Sequence, residues 1–181
     1  MKVLVTGGAR SGKSGFAEAY AARLGDRGVY IATAQAFDEE MEARIELHRE
    51  NRRNRGFHWD TTEEPYALAE TLRTANAPVV LVDCLTLWLS NWLLRCEHEQ
   101  DAERLIEHRI DELADAFGSM EGPVVLVTNE VGYGLVPEYK LGRIFRDLSG
   151  RMNQKLARTA DQVFLVTAGI PVELKSQAFR L

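Results

Sequence analysis

Near the start of the chain, Gly7-Gly8-Ala9-Arg10-Ser11-Gly12-Lys13-Ser14 carries residue types at a spacing that binds phosphate: a glycine, four free positions, then Gly-Lys-Ser/Thr. Glycine at 7 and 12 lets the backbone curl around an anion so that successive N–H groups point inward, where bulkier residues would block the approach. Lys13 stands where its ammonium can reach the β- and γ-phosphates, and Ser14 offers a hydroxyl to Mg²⁺. A helix that begins here adds the positive end of its dipole. The pattern arises by chance on the order of once per hundred chains of ordinary composition. Its surroundings sharpen it further, because the apolar run Val3 to Val5 precedes it and Phe16, Ala19, Tyr20 and Leu24 follow at helical spacing.

Other positions can join this chemistry. Pro78-Val-Val-Leu-Val-Asp83 is an apolar run ending in an acid, the Walker-B arrangement, in which a buried parallel strand delivers a carboxylate beside the phosphate loop to hold Mg²⁺ and its waters. Ala32, Thr33 and Ala34 end another apolar run and read either as a plain strand-to-helix turn or as part of a ligand-gathering strand edge. On a helix from Asp38 to about Asn54, Arg44, His48 and Arg52 fall at i, i+4 and i+8, with the histidine between two guanidinium groups. Two readings of His48 stand at this level. One is an ordinary histidine on a charged helix, the commoner case; the other is an imidazole near phosphate, kept neutral and nucleophilic by the flanking cations. The four arginines from Arg49 to Arg55 read likewise as a solvated loop or as planar forks for phosphate.

These positions need a scaffold that brings strand ends together. Apolar runs at 3–5, 28–32, 78–83, 124–129 and 162–167 alternate with helical patterns. They predict five or six strands in a mostly parallel sheet with helices on both faces, a P-loop NTPase-type α/β fold. Phe57 to Thr62 alternates weakly as a further short strand, and Glu63, Glu64 and Pro65 read as the opening of a helix through Leu68 and Leu72. Leu85 to Leu94, with Trp88 and Trp92, is too apolar for an exposed helix and belongs inside the fold or at a subunit interface. Asp101 to Phe117 and Leu141 to Ala160 predict conventional helices. The glycines and proline of Glu130 to Pro137 mark a shaped loop that can close over substrate.

A length of 181 residues suits one domain, 1–181, with a core that needs neither disulfides nor structural metal. The net charge of −5 argues against a sequence-independent grip on nucleic acid. Cys84 and Cys96 match no zinc or redox spacing and fit a reducing cytoplasm, and His98 and His108 have no partner at metal-ligand spacing. The first residues run directly into a core strand, which leaves no room for a removable signal peptide. The longest apolar run, Ala77 to Val82, is too short to span a bilayer.

Taken together, the residues resemble one family, the bifunctional adenosylcobinamide kinase and adenosylcobinamide-phosphate guanylyltransferase of cobalamin synthesis. The likeness runs through Val5 to Ser14, Tyr30 to Thr33, Asp38 to Met41, Arg44-Ile45 with His48-Arg49, and the Trp59, Thr61, Glu63 cluster. It continues in Asp83 to Trp88, Asn91, Thr128 to Gly132, Val136-Pro137, Phe145 to Asp147, Gly150-Arg151, Asn153-Gln154 and Ala160-Asp161. The stretch from Arg52 to Phe57 departs from it by a few extra residues.

The resemblance implies two activities. The first is phosphorylation of adenosylcobinamide by ATP or GTP, with Lys13, Ser14, Asp83 and Mg²⁺ managing the phosphates. The second is transfer of GMP from GTP to the new phosphate, with loss of pyrophosphate, through a guanylylated histidine that matches His48. By the same match, the phosphate loop, Ala32 to Ala34, Arg49, Glu50, Asn51, Arg52, Glu63 and Asp83 contact the nucleotide or its metal. Ser14 and Asp83 hold Mg²⁺ partly through water. The resemblance further implies a homotrimer; the acidic charge and the short apolar runs lead to the expectation of no nucleic-acid partner and no membrane insertion. Two other classes use the same loop: a small-molecule kinase with no nucleophilic histidine, and an NTP-driven switch acting on a protein or nucleic acid.

Overall fold

The central strands carry apolar residues at successive positions because both of their faces are covered. The computed structural model describes residues 1–35, 43, 46, 49, 50, 52 and 56–179. In chain order its elements are β1 (Lys2–Gly7), α1 (Lys13–Ala21), β2 (Arg27–Ala32), β3 (His58–Glu63), α2 (Leu68–Thr74), β4 (Val80–Asp83) and α3 (Leu85–Arg95). There follow α4 (Ala102–Ser119), β5 (Val124–Val127), α5 (Lys140–Thr159), β6 (Gln162–Thr167), β7 (Ile170–Glu173) and a 3₁₀ turn at Lys175–Gln177. Among the described residues the sheet has seven strands in the order β3-β2-β4-β5-β1-β6-β7. All neighbours run parallel except β6 and β7.

Alternate residues of each strand feed two separate cores. Leu4, Val80, Val82 and Leu126 point to the side of α2 to α5, where they meet Trp88, Ile106, Phe117 and Met152. Val3, Val5, Leu81, Val125 and Val127 point to the other side and pack on Ala17 and Ala21 of α1. The expected mostly parallel sheet with helices on both faces is therefore present, with four described helices on one face and α1 on the other. Trp88 and Trp92 lie inside this fold, and both indole N–H groups donate to the Tyr66 carbonyl, at 2.9 and 3.2 Å.

Three local expectations change. In α1 Ala17 and Ala21 are fully buried and Glu18 nearly so, while Phe16 and Tyr20 of the expected stripe pack half-buried against the same core and on Phe164, and Ala19 is exposed. A helix seated this closely on a flat sheet needs small residues at its line of contact, so the large-residue stripe ran along its shoulder. Glu63 belongs to β3, where it pairs with Ala32, and does not open a helix. Glu64 does not open one either: its Oε1 accepts from the Tyr66 and Ala67 N–H groups at 2.8 and 2.7 Å in the turn that leads to α2, which begins at Leu68 with no side-chain cap. Finally, β7 was not expected. It returns antiparallel from β6 through Ala168 (φ 51°) and Gly169 (φ 79°), a two-residue hairpin turn with both residues left-handed.

Glu173 ties this last hairpin together. Its Oε1 accepts from the N–H groups of Val163 (3.0 Å) and Lys175 (3.1 Å), and its Oε2 from that of Ser176 (2.6 Å). Desolvation alone would raise its carboxyl; the bonds from Val163, Ser176 and Lys175 outweigh it and hold the pKa at about 2. A depressed pKa means stability that is present above the ordinary carboxyl range near 4.5 and lost as pH falls towards 2. Melting curves from pH 6 to pH 2.5 should show a smaller acid-dependent loss for Glu173→Gln than for wild type, with the variant less stable at neutral pH. Parallel curves would remove Glu173 from the acid response.

Candidate active site

Strand register sets the backbone of the site. Val5, Val127, Asp83, Ala32 and Glu63 are successive partners across β1, β5, β4, β2 and β3. They form a row at the carboxyl edge of the sheet that spans four strand spacings, about 19 Å. The phosphate loop leaves one end of the row and Glu63 stands at the other. In an open parallel sheet this edge is where ligands bind.

The loop is held from three sides. A Cβ at Gly7 would collide with the Val166 carbonyl oxygen and lie 2.7 Å from Ser11 Oγ, so only glycine fits between β1 and β6. Gly12 takes φ 93° at the start of α1, the left-handed region that favours glycine. The Gly169 N–H of the last hairpin donates to the Ser11 carbonyl at 2.8 Å, and the Glu130 N–H donates to the Gly7 carbonyl at 3.1 Å. Gly8, Ala9, Arg10 and Gly12 are exposed, and Lys13 and Ser14 half-buried. Lys13 Nζ donates to the Gly8 carbonyl at 3.2 Å, which holds the ammonium against the loop.

Asp83 ends β4 two strands from the loop, and its Oδ2 accepts from the Tyr30 hydroxyl at 3.1 Å. Burial first, and then the charge of Asp83, push the Tyr30 phenol well above its ordinary pKa, with Arg52 opposing. Burial and the same aspartate push the neighbouring Cys84 thiol up to about 11, so it stays protonated at neutral pH and is no nucleophile. Beyond Asp83 opens a cleft of 540 Å³ lined by Arg49, Arg52, Phe57, His58, Trp59, Thr61 and Glu63. Arg49 forms ion pairs with Glu63 and Glu46. Arg52, only 6% exposed, lays its guanidinium 3.8 Å from the centre of the Tyr30 ring.

Of the expected nucleotide contacts, the structure brings the loop, Asp83, Arg49, Arg52 and Glu63 to one edge. Glu50 is exposed on the helical part of the same segment. Ala32 and Ala34 flank Thr33, which is 0% exposed. The Thr33 hydroxyl donates to the Cys84 carbonyl (2.6 Å) and accepts from the Cys84 N–H (3.0 Å), while its own carbonyl accepts from Asn91 Nδ2 (2.8 Å). Thr33 thus ties the end of β2 to the end of β4. His48 and Asn51 lie outside the described residues, as do Arg44 and most of the helix expected from Asp38 to Asn54.

Sequence reasoning left the end of β5 out of the site. Asn129 follows β5, the strand between the loop strand and the Asp83 strand. Its N–H donates to Thr86 Oγ1 (2.9 Å), and its carbonyl accepts from Asn153 Nδ2 (3.1 Å), which fixes its backbone. Its Oδ1 is buried and has no partner among the described residues, and the same holds for Ser11 Oγ. The signal that could have found it is its place at the carboxyl end of the apolar run 124–129.

These residues fit Mg²⁺. A hard cation prefers oxygen, keeps several waters and takes few protein ligands when a nucleotide supplies the rest. Ser14 in the first turn of α1, Asp83 at the end of β4 and Asn129 Oδ1 just past β5 offer such oxygens. No group of three or more His, Cys, Asp or Glu side chains able to hold a metal occurs among the described residues. No described helix is long and apolar enough to cross a membrane.

Comparison with known proteins bears on the same residues. The family described as cobinamide kinase / cobinamide phosphate guanyltransferase matches residues 3–174. The bifunctional adenosylcobalamin biosynthesis protein CobU of Escherichia coli (strain K12) is 45% identical over 187 residues, covering 97% of this chain and 100% of its own. The corresponding CobP protein of Pseudomonas aeruginosa is 47% identical over 179 residues, covering 98% and 99%. A solved chain from Pyrococcus horikoshii OT3 aligns over 95% of this chain and 84% of its own at a TM-score of 0.50 with 9% identity, a likeness of fold alone. Since the match runs from β1 through β7, and so takes in the phosphate loop and every strand end beside it, the chain belongs to the cobinamide kinase / cobinamide phosphate guanyltransferase family.

Proposed function

We propose that the protein phosphorylates adenosylcobinamide with a nucleoside triphosphate, ATP or GTP, and then transfers GMP from GTP to the product, giving adenosylcobinamide-GDP and pyrophosphate. The observation that carries this reading is the row along the carboxyl edge, with a triphosphate cradle at one end and a cleft bearing arginines at the other. A kinase alone needs the first half of that row. The second half gives the α-phosphate and the nucleoside somewhere to go.

In the first step the substrate hydroxyl oxygen attacks the γ-phosphorus, its proton leaves and the nucleoside diphosphate departs. The loop N–H groups and Lys13 hold the phosphates in line and stabilise their charge. In the second, a neutral imidazole nitrogen of His48 attacks the α-phosphorus and pyrophosphate leaves, stabilised by the same loop. A phosphate oxygen of adenosylcobinamide phosphate then attacks the same phosphorus and releases the histidine. Gly7 to Ser14, Ala32 to Ala34, Arg49, Glu50, Asn51, Arg52, Glu63 and Asp83 form the nucleotide surface, with Arg49 and Arg52 as cations beside the α-phosphate. Ser14 and Asp83 would hold Mg²⁺, partly through water; when bound, it neutralises charge on the phosphate oxygens. We place the protein in the cytoplasm as a homotrimer of single-domain subunits, which light scattering would test.

Product analysis tests the reaction. With adenosylcobinamide, Mg²⁺ and GTP, chromatography should show adenosylcobinamide phosphate appearing first and being replaced by adenosylcobinamide-GDP, with one pyrophosphate released per molecule of the second product. Accumulation of the phosphate alone would reduce the function to that of a kinase.

A further inference from the structure

Tyr30 touches both halves of the site and belongs to neither. It sits mid-strand on β2, paired with Thr61 of β3 and Leu81 of β4, and faces the α1 side together with Asp83. Its ring is packed edge-on against Trp59, with centroids 5.9 Å apart, and carries the Arg52 guanidinium on its face. Its hydroxyl reaches the Asp83 carboxylate. A core aromatic needs none of these polar arrangements, and a buried hydroxyl aimed at a carboxylate oxygen fixes the rotation of that carboxylate.

We infer that Tyr30 is a positioning residue that registers the metal-side acid, Asp83, with Arg52, one of the two arginines that line the cleft. Through its hydroxyl it holds Oδ2 of Asp83, leaving Oδ1 and the remaining lone pair of Oδ2 to face Mg²⁺ or its waters. Through its ring it anchors Arg52, which stands four residues after His48 in the sequence. Cations stack on aromatic faces more strongly where water is excluded, as around this buried arginine. One rigid side chain thereby sets the distance between the place where phosphate charge is neutralised and this arginine of the cleft. The inference rests on the assignment of Asp83 to the metal.

The two contacts separate by substitution. Tyr30→Phe keeps the ring and removes the hydroxyl; Tyr30→Leu removes both. Mn²⁺, a paramagnetic stand-in for Mg²⁺, is titrated into each protein with a non-hydrolysable GTP analogue and followed by electron paramagnetic resonance well below the melting temperature. Loss of a partner that orients a metal ligand weakens metal binding by about 10–100-fold in general. Tyr30→Phe should raise the half-saturating Mn²⁺ about tenfold while binding the analogue as wild type does once Mn²⁺ is saturating. Tyr30→Leu should show the same shift and, in addition, weaker analogue binding at saturating Mn²⁺. Asp83→Asn is the reference. If it weakens Mn²⁺ binding while Tyr30→Phe matches wild type, the role of Tyr30 is overturned and the Asp83 assignment stands. If Asp83→Asn itself binds Mn²⁺ normally, the assignment fails and takes the inference with it.

Discussion

A His48→Ala variant is expected to lose GMP transfer by roughly 10³-fold or more, as enzymes lose when a covalent nucleophile is deleted, and to go on phosphorylating adenosylcobinamide. The asymmetry follows from the chemistry. Phosphoryl transfer from the γ-position passes directly between bound substrates and needs positioned charge, which the loop and Lys13 supply without the histidine. In the proposed covalent route, transfer from the α-position passes through a group that first takes the GMP and then gives it up, and imidazole can do both near neutral pH. Incubation with Mg²⁺ and GTP labelled at the α- or the γ-phosphate, without corrinoid, reads this directly. Wild type should retain acid-labile α-label and no γ-label, and His48→Ala should retain neither. Alpha-label that persists in the variant would assign the nucleophile to another residue, and Cys84, buried and with its thiol raised to about 11, would be a poor choice.

Lys13→Ala is expected to depress both activities together. Both steps place charge on phosphates in the loop, in the first on the departing diphosphate and in the second on the departing pyrophosphate. Removing one preorganised cation from such a site costs about 10²–10³-fold in rate. Lys13 is half-buried and its ammonium is bonded to a loop carbonyl, not to the core, so melting should stay close to wild type. Measured kcat/KM for each half-reaction, with wild-type melting as the control, checks the pair. Loss of one activity with the other intact would mean that the two reactions bind their triphosphates in different places.

The sequence made some of this legible and hid the rest, for physical reasons. The phosphate loop is local: its glycines and lysine act within eight residues, and their spacing is their meaning. The central strands are equally local, since burial on both faces writes itself as a continuous apolar run. Asp83 was legible once the loop was known. The burial of Arg52 was not, because an arginine in a basic run gives no sign that the ring of Tyr30, on the preceding strand β2, will cover it. Thr33 read either as part of a plain strand-to-helix turn or as part of a ligand-gathering edge, and only the folded chain shows its hydroxyl closed onto Cys84. The strand β7 was missed because its signal is two left-handed residues, Ala168 and Gly169, in a stretch too short for periodicity. Asn129 was read at the end of its apolar run but left out of the site, because its place between β1 and β4 depends on strand order.

That strand order also governs how the molecule comes into being. The first strand is central, and its partners are β5, beginning at Val124, and β6, beginning at Gln162. The Ser11 carbonyl waits longer still, for the N–H of Gly169. A ribosome adds about 5–20 residues each second. The phosphate loop is therefore translated almost at once and then waits roughly 6–23 s for β5 on one side and roughly 8–31 s for β6 on the other. Nucleotide cannot hasten that assembly, since the cradle it would grip is finished last. The nascent chain spends this interval with the apolar run Val3 to Val5 of β1 unpaired, and a chaperone that binds extended apolar segments has its best opportunity there.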